Sequence, residues 1–320
     1  MKAAALVLSV LTLNVAGPRR IHQGWQTRRA ALTERLKAEH ADAAAFQDIW
    51  RGEDLAALSQ AAGYRHSFLD PALGLAVASR FPLELKAARD LGWGGGVLCA
   101  RLTSFSRAAD IYSARLTPGD DAPAAARRLA QLFDLAEFIR AQSTGAFVLL
   151  GDLAAPPDDP EIRMFIDLLG TRDLCVSHGD ETCGRTLGDH RVDYVLIPYS
   201  SRTPLEKARA AFTETAIEDD GMPPLSSHFG LTARLDASWL KLPAAAEPEG
   251  RIEALLAAAA ALNAAGDDAE KRSQLVGWIP WQGTFTALKL RAETSRLNSA
   301  LERVRTALAR AARPAPLICD

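Results

Sequence analysis

Charge of one sign is missing from this chain. Its 320 residues hold 37 Lys and Arg against 39 Asp and Glu, a net charge of −2. Proteins that grip nucleic acid carry a strongly basic face, so nucleic acid is disfavoured as a partner. Cysteine is nearly as scarce. Cys99, Cys175, Cys183 and Cys319 show no metal-ligand spacing, and four in a chain this long make no disulfide framework. They are expected as reduced thiols in a cytoplasmic protein, with a Cys175–Cys183 bridge as the lesser alternative. No apolar run reaches the roughly 18 residues that a membrane-spanning helix needs. The opening MKAAALVLSVLTLN has the look of a short secretory signal, but it reads better as a β-rich core strand ending at Asn14.

What is present suits a sizeable core, with 48% hydrophobic residues. Up to about residue 242, short apolar runs alternate with helical patterns. Strands are expected in LVLSVLTLN, AAAFQDI, LGLAVAS, GVLCARL, ADIYSARL, AFVLLGD, RVDYVLIP and FGLTARL. Helices are expected over 25–39 and 122–142, the second opened by Asp121 and Pro123. Many short strands with few helices point to an α/β protein of two packed sheets flanked by helices. The domain so defined spans 1–242. PAAAEPEG then reads as a linker over 243–249, and a helical segment follows over 250–313.

Within that segment two helices are expected, 250–265 and 284–312, separated by GDDAEKRSQLVGWIPWQG. Leu290, Thr294, Leu297, Leu301, Val304, Leu308 and Ala311 recur by fours and threes, a seam that wants a partner. A hairpin folded back on its own domain is the favoured reading, and a homodimer contact the alternative. The aromatic stretch LVGWIPWQGTF reads as a plug between the helices, with peripheral membrane contact as its alternative.

The residues that carry chemistry sit where strands end. FVLLGDLA looks like a buried strand delivering Asp152 to its carboxyl end, a place where α/β folds concentrate ligand sites. Taken in order, LTLNVAG, AAFQDIW, GLAVASRFPL, IYSARL, RRLAQLFDLAEFI, FVLLGDLAAPPDD, DHRVDYVLIP and PLSSHFGL span about residues 8 to 236. Together they resemble the endonuclease/exonuclease/phosphatase superfamily, and within it the neutral sphingomyelinases. The resemblance implies a four-layer α/β sandwich, here with a C-terminal helical hairpin, and an active site at one end of the two sheets.

It also implies roles. Asn14 matches the asparagine that orients water or a phosphate oxygen. Asp48 stands where the family has a Glu as principal Mg²⁺ ligand, one methylene longer. Asp152 matches the aspartate of GDxN, Asp193 the aspartate that orients histidine, and His228 that histidine. The cofactor implied is Mg²⁺, with Mn²⁺ as the alternative. Four positions depart from the pattern: Ala154 for the GDxN asparagine, Ser227 for the aspartate of SDH, Arg115 for a sphingomyelinase histidine, and Gly95 for a lysine. Arg115 is the expected phosphate contact. His66, His178 and His190 are expected to be ordinary histidines.

Three functions compete. The favoured one is a sphingomyelinase-like protein with impaired catalysis that still binds a phosphodiester or phospholipid headgroup, a membrane surface or a partner. The second is a working metal-dependent phosphodiesterase releasing a sphingomyelin-type headgroup. In it Asp48 holds the ion, Asn14 and Asp152 position water, and Asp193 with His228 handles the proton. The third is an interaction module using the C-terminal helices.

Overall fold

The computed structural model describes residues 7–19, 23–103, 108–143, 146–199, 201, 207–212, 225–236, 251–276 and 282–311. The opening six residues, the linker over 243–249, the aromatic stretch around Trp278 and Trp281, and Cys319 lie outside the described residues.

Two six-stranded sheets face each other. The first runs in the order β11 (Arg209–Ala211), β12 (Gly230–Asp236), β1 (Val7–Asn14), β2 (Ala43–Gln47), β4 (Leu75–Ser79), β3 (His66–Asp70). The second runs β5 (Leu83–Gly92), β6 (Gly95–Leu102), β7 (Ala109–Arg115), β8 (Ala146–Asp152), β10 (Asp193–Pro198), β9 (Thr171–Asp173). Each is built around one parallel pair, β1 with β2 and β7 with β8, flanked by antiparallel neighbours.

Side chains alternate along a strand, so each strand serves two layers. On β1, Leu8 and Val10 meet Ala45, Leu98, Ile111, Val148, Leu150 and Val195 between the sheets. Leu11 and Leu13 face outward onto α1 (Gln23–Glu39) and α2 (Gly52–Ala62), through Trp25, Leu32, Leu36, Leu55 and Leu58. The outer face of the second sheet is covered by α3 (Ala122–Gln142) and α4 (Pro160–Leu169). The result is the expected four-layer sandwich. Helix α3 begins as its sequence signals: Asp121 accepts from Ala124 N at 2.7 Å, with Pro123 in the first turn.

The C-terminal segment forms a hairpin of α6 (Arg251–Val276) and α7 (Gln282–Ala311), packed on α3 and α4. Ala258, Leu262, Leu297, Leu301 and Val304 join the apolar layer there. Arg127 pairs with Glu293, and Arg303 with Asp134 at 2.9 Å. Helix α6 runs eleven residues beyond the expected end at 265. Gly266 does not stop it, because α7 passes close by: a Cβ at Gly266 would sit 3.2 Å from Asn298 Oδ1. Among the described residues, no helix is long and apolar enough to cross a membrane.

The expectation of reduced thiols is corrected for one pair. Cys175, in the short helix α5 (Leu174–His178), is bonded to Cys183 in the following 3₁₀ turn, with Cα atoms 5.5 Å apart. The turns around Asp173 and Asp180 bring them together, each aspartate accepting a backbone N–H two residues on. Cys99 is free and buried. Closing a loop this short removes unfolded-chain entropy equivalent to about 2.5 kcal/mol. The double variant C175S/C183S is therefore expected to lose about that much stability, read by denaturant unfolding, whereas a reductant should leave the melting of that variant unchanged.

Candidate active site

Alternation along the strands also builds the pocket. The inward positions that are apolar for most of each strand become polar at one end: Asn14 closes β1, Gln47 closes β2, Arg115 closes β7, Asp152 closes β8, and Asp193 opens the antiparallel β10. Register aligns them: Asn14 lies beside Gln47, and Asp152 beside both Arg115 and Asp193. His228 precedes β12, next to the end of β1. Beneath this rim a buried polar row seals the core. Thr12 donates to Gln47 Oε1 at 3.4 Å, Gln47 Nε2 to Ser113 Oγ at 3.2 Å, and Ser113 to Phe46 O at 3.1 Å.

Four of the expected residues form two hydrogen-bonded pairs that lie side by side. Asn14 Nδ2 donates to Asp152 Oδ2 at 3.0 Å. His228 Nδ1 donates to Asp193 Oδ2 at 2.9 Å, which turns Nε2 toward Asp152 Oδ2, 3.9 Å away. That last gap is too long for a direct hydrogen bond. Asn14 itself is fixed by Ala16 N on its Oδ1 and by Ser226 Oγ on its carbonyl, at 2.9 and 2.5 Å. Ser226 Oγ also accepts from His228 N at 3.1 Å.

Asp48 and Arg115 form a second unit. Strand alternation would carry Asp48 away from the pocket, but its φ of +52° breaks the strand and brings its carboxylate onto Arg115 Nη1. Gly17 makes this turn possible by donating to Asp48 O at 2.9 Å, and a Cβ there would come within 2.5 Å of that oxygen. Arg115 Nη2 donates to Gly94 O at 2.7 Å, and the guanidinium carbon lies 5.2 Å from the Trp50 ring centre. Arg19 lies 4.2 Å from the same ring.

The departures from the family pattern have structural counterparts. Ala154 keeps a left-handed backbone, φ +56°, and its N–H donates to Asp152 Oδ1 at 2.9 Å. An asparagine tolerates that conformation better than alanine. Ser227 is exposed. A side chain at Gly95 would need Gln131 to move, because its Cβ would lie 2.4 Å from Gln131 Nε2. Gln131 uses that space to bond Gly92 O and Thr117 Oγ1. Gln47, Trp50 and Gln131 were not among the expected site residues. Only Gln47 carried a sequence signal, its inward position one residue before Asp48.

Asp152, Asp193 and His228 each offer one ligand atom, all within 4.8 Å of one another, and Asp193 Oδ1 is buried without a hydrogen-bond partner. Two carboxylates and an imidazole suit a divalent cation. At Asp48 the fit fails, because a guanidinium already holds the carboxylate.

Burial alone would lower the His228 pKa. The Asp193 charge and hydrogen bond, with Asp152 and Asp48 further off, reverse this and push it up to about 9. Burial, then the neighbouring Asp193, raises Asp152 to about 6 against the pull of His228, Asn14 and the Ala154 N–H.

The Endonuclease/Exonuclease/phosphatase family model matches residues 11–234, and the chain belongs to that family. Its fold is shared by solved structures at low identity. A humanized D. rerio TDP2 carrying 14 mutations is 16% identical, with a TM-score of 0.57 over 71% of this chain and 98% of that one. Sphingomyelinase C from Streptomyces griseocarneus is 17% identical, with a TM-score of 0.55 over 72% and 99%. Beta toxin from Staphylococcus aureus is 12% identical, with a TM-score of 0.55 over 71% and 99%. No curated protein matches the chain.

The His228 shift gives a pH signature. A histidine whose folded pKa lies above its ordinary 6.5 adds stability fully present below that value and lost as pH rises through about 9. In EDTA, the melting temperature is expected to fall between about pH 7 and pH 9. In Asp193→Asn that limb should move to lower pH, because the charge that holds the proton is gone. A wild-type melting temperature flat across this range would contradict a protonated His228.

Proposed function

We propose that this protein is a sphingomyelinase-like member of its family that binds a phosphodiester headgroup at the strand-end pocket and hydrolyses it poorly. The observation that carries this reading is a contrast within one site. The Asn14–Asp152 and His228–Asp193 pairs are both in place, while Asp48, the carboxylate assigned by resemblance to the metal, is neutralised by Arg115.

The residues divide the work as follows. Arg115 and a protonated His228 present positive charge to a phosphodiester from two sides. Asp193 orients the imidazole, and Asn14 fixes the Asp152 carboxylate from which a water could be held. A divalent ion, Mg²⁺ or Mn²⁺, would be held by Asp152 and by His228 in its deprotonated form, displacing the imidazolium proton, with Asp193 behind the ring, and would supply Lewis-acid polarisation of a phosphoryl oxygen. What is missing is side-chain support at positions 154 and 227. Losing one preorganised donor costs about 10²–10³ in rate, and losses within one unit do not simply add.

A second reading, a working hydrolase with a rearranged site, is favoured by the intact Asp193–His228 pair at 2.9 Å. Sphingomyelin hydrolysis in mixed micelles, with Mg²⁺ or Mn²⁺, decides between them beside sphingomyelinase C from Streptomyces griseocarneus. Turnover at least about 10²-fold below that enzyme, abolished in His228→Ala, is the expected result. Comparable turnover that His228→Ala abolishes would establish the working hydrolase instead.

A further inference from the structure

We infer that Arg115 is the resident cation of the pocket: its guanidinium takes the place at Asp48 that the resemblance assigns to a divalent ion, making a metal-independent site for a phosphate-type oxyanion. The inference deepens the phosphodiester reading and rests on it.

The guanidinium is fixed on several sides. Asp48 holds Nη1, the Gly94 carbonyl holds Nη2 at 2.7 Å, and the Trp50 ring lies alongside. Trp50 is itself pinned, its indole N–H donating to Gly17 O at 2.9 Å. Gly17 is also the residue whose N–H holds the Asp48 backbone, so one turn positions both the carboxylate and the ring. Arg115 and Asp48 remain 17% and 22% exposed, so the pair is reachable from the pocket.

Two properties follow from chemistry. A divalent ion at the Asp48 carboxylate would stand within a few ångströms of a fixed positive charge, which repels it. A guanidinium has five N–H donors, and two are used here by Asp48 and Gly94. Its Nε is buried with no partner, so the capacity left for a ligand is that of the remaining Nη hydrogens. A planar donor group of this kind matches an oxyanion, and the neighbouring strand end, Asp152 beside Arg115 in register, places the Asn14–Asp152 pair next to it, with His228 Nε2 3.9 Å from Asp152. Unlike a metal ion, this cation cannot be removed by a chelator.

The test is Mn²⁺ binding by electron paramagnetic resonance on the full chain, for wild type, Asp48→Asn, Arg115→Met and the double variant. Wild-type binding should be unaffected by D48N, since any ion then held belongs to Asp152, Asp193 and His228. R115M should gain affinity on the order of a hundredfold, and the double variant should lose that gain. Wild-type Mn²⁺ binding abolished by D48N, or a folded R115M with no gain, would overturn the inference. The D48N comparison judges it alone if R115M does not fold. In parallel, inorganic phosphate binding is measured by calorimetry in EDTA, where it should occur in wild type and weaken in R115M. Phosphate binding that requires Mn²⁺ overturns the inference and leaves the phosphodiester reading intact. No phosphate binding in either condition sinks both.

Discussion

Face-to-face packing of two sheets is the constraint on which everything else here depends. Each strand has one inward set of side chains, and that set must be apolar where the opposing sheet covers it. At one end of the strands the same inward alternation continues with polar residues, Asn14, Gln47, Arg115, Asp152 and Asp193. The candidate site is therefore the polar end of the core, not a feature added to it, and of these five residues all but Arg115 are buried. The Thr12–Gln47–Ser113 row marks the boundary, since it satisfies polar groups already cut off from water.

Placing three aspartates at such an edge is costly unless each finds a partner, because burial penalises the charged form. The structure meets this differently for each. Asp193 has His228, Asp48 has Arg115, and Asp152 has the neutral donors Asn14 and Ala154 N–H with His228 at longer range. The least completely neutralised of the three is Asp152, whose carboxyl is pushed up to about 6 by burial and then by the Asp193 charge. Arg115 thus belongs to the electrostatic balance of the fold.

The sequence made the central strands and their ends legible because both faces of β1, β2, β7, β8 and β10 are buried, which leaves continuous apolar runs. The four edge strands β3, β5, β9 and β11 escaped notice, β9 and β11 being only three residues long and β3 and β5 lacking a face that is buried throughout. LELKAARDLG is half exposed, charged and interrupted by register shifts, so it shows no clean period. Asp152, Asp193, Asn14 and His228 could be placed because each adjoins a readable strand. The partner of Asp48 could not, since it depends on a left-handed residue that reverses strand alternation and on the distant Gly94 carbonyl. The Cys175–Cys183 bridge stood only as the lesser alternative in the sequence, since two aspartate-capped turns bring the sulfurs together and spacing alone does not show that.

The β5–β6 hairpin turns through Trp93 and Gly94, both with positive φ, as a two-residue connection requires. Trp93 is an awkward occupant of that conformation, and it is held there by neighbours. Its carbonyl accepts from Thr117 Oγ1 at 3.1 Å, and Arg296 of α7 lies 5.5 Å from its ring. The next carbonyl, that of Gly94, is the one that steadies Arg115. The final helix thus acts as an abutment for one wall of the pocket. Two proteins with this same sandwich and different tails would differ in the stiffness of that wall, and so in how far it yields when a ligand enters.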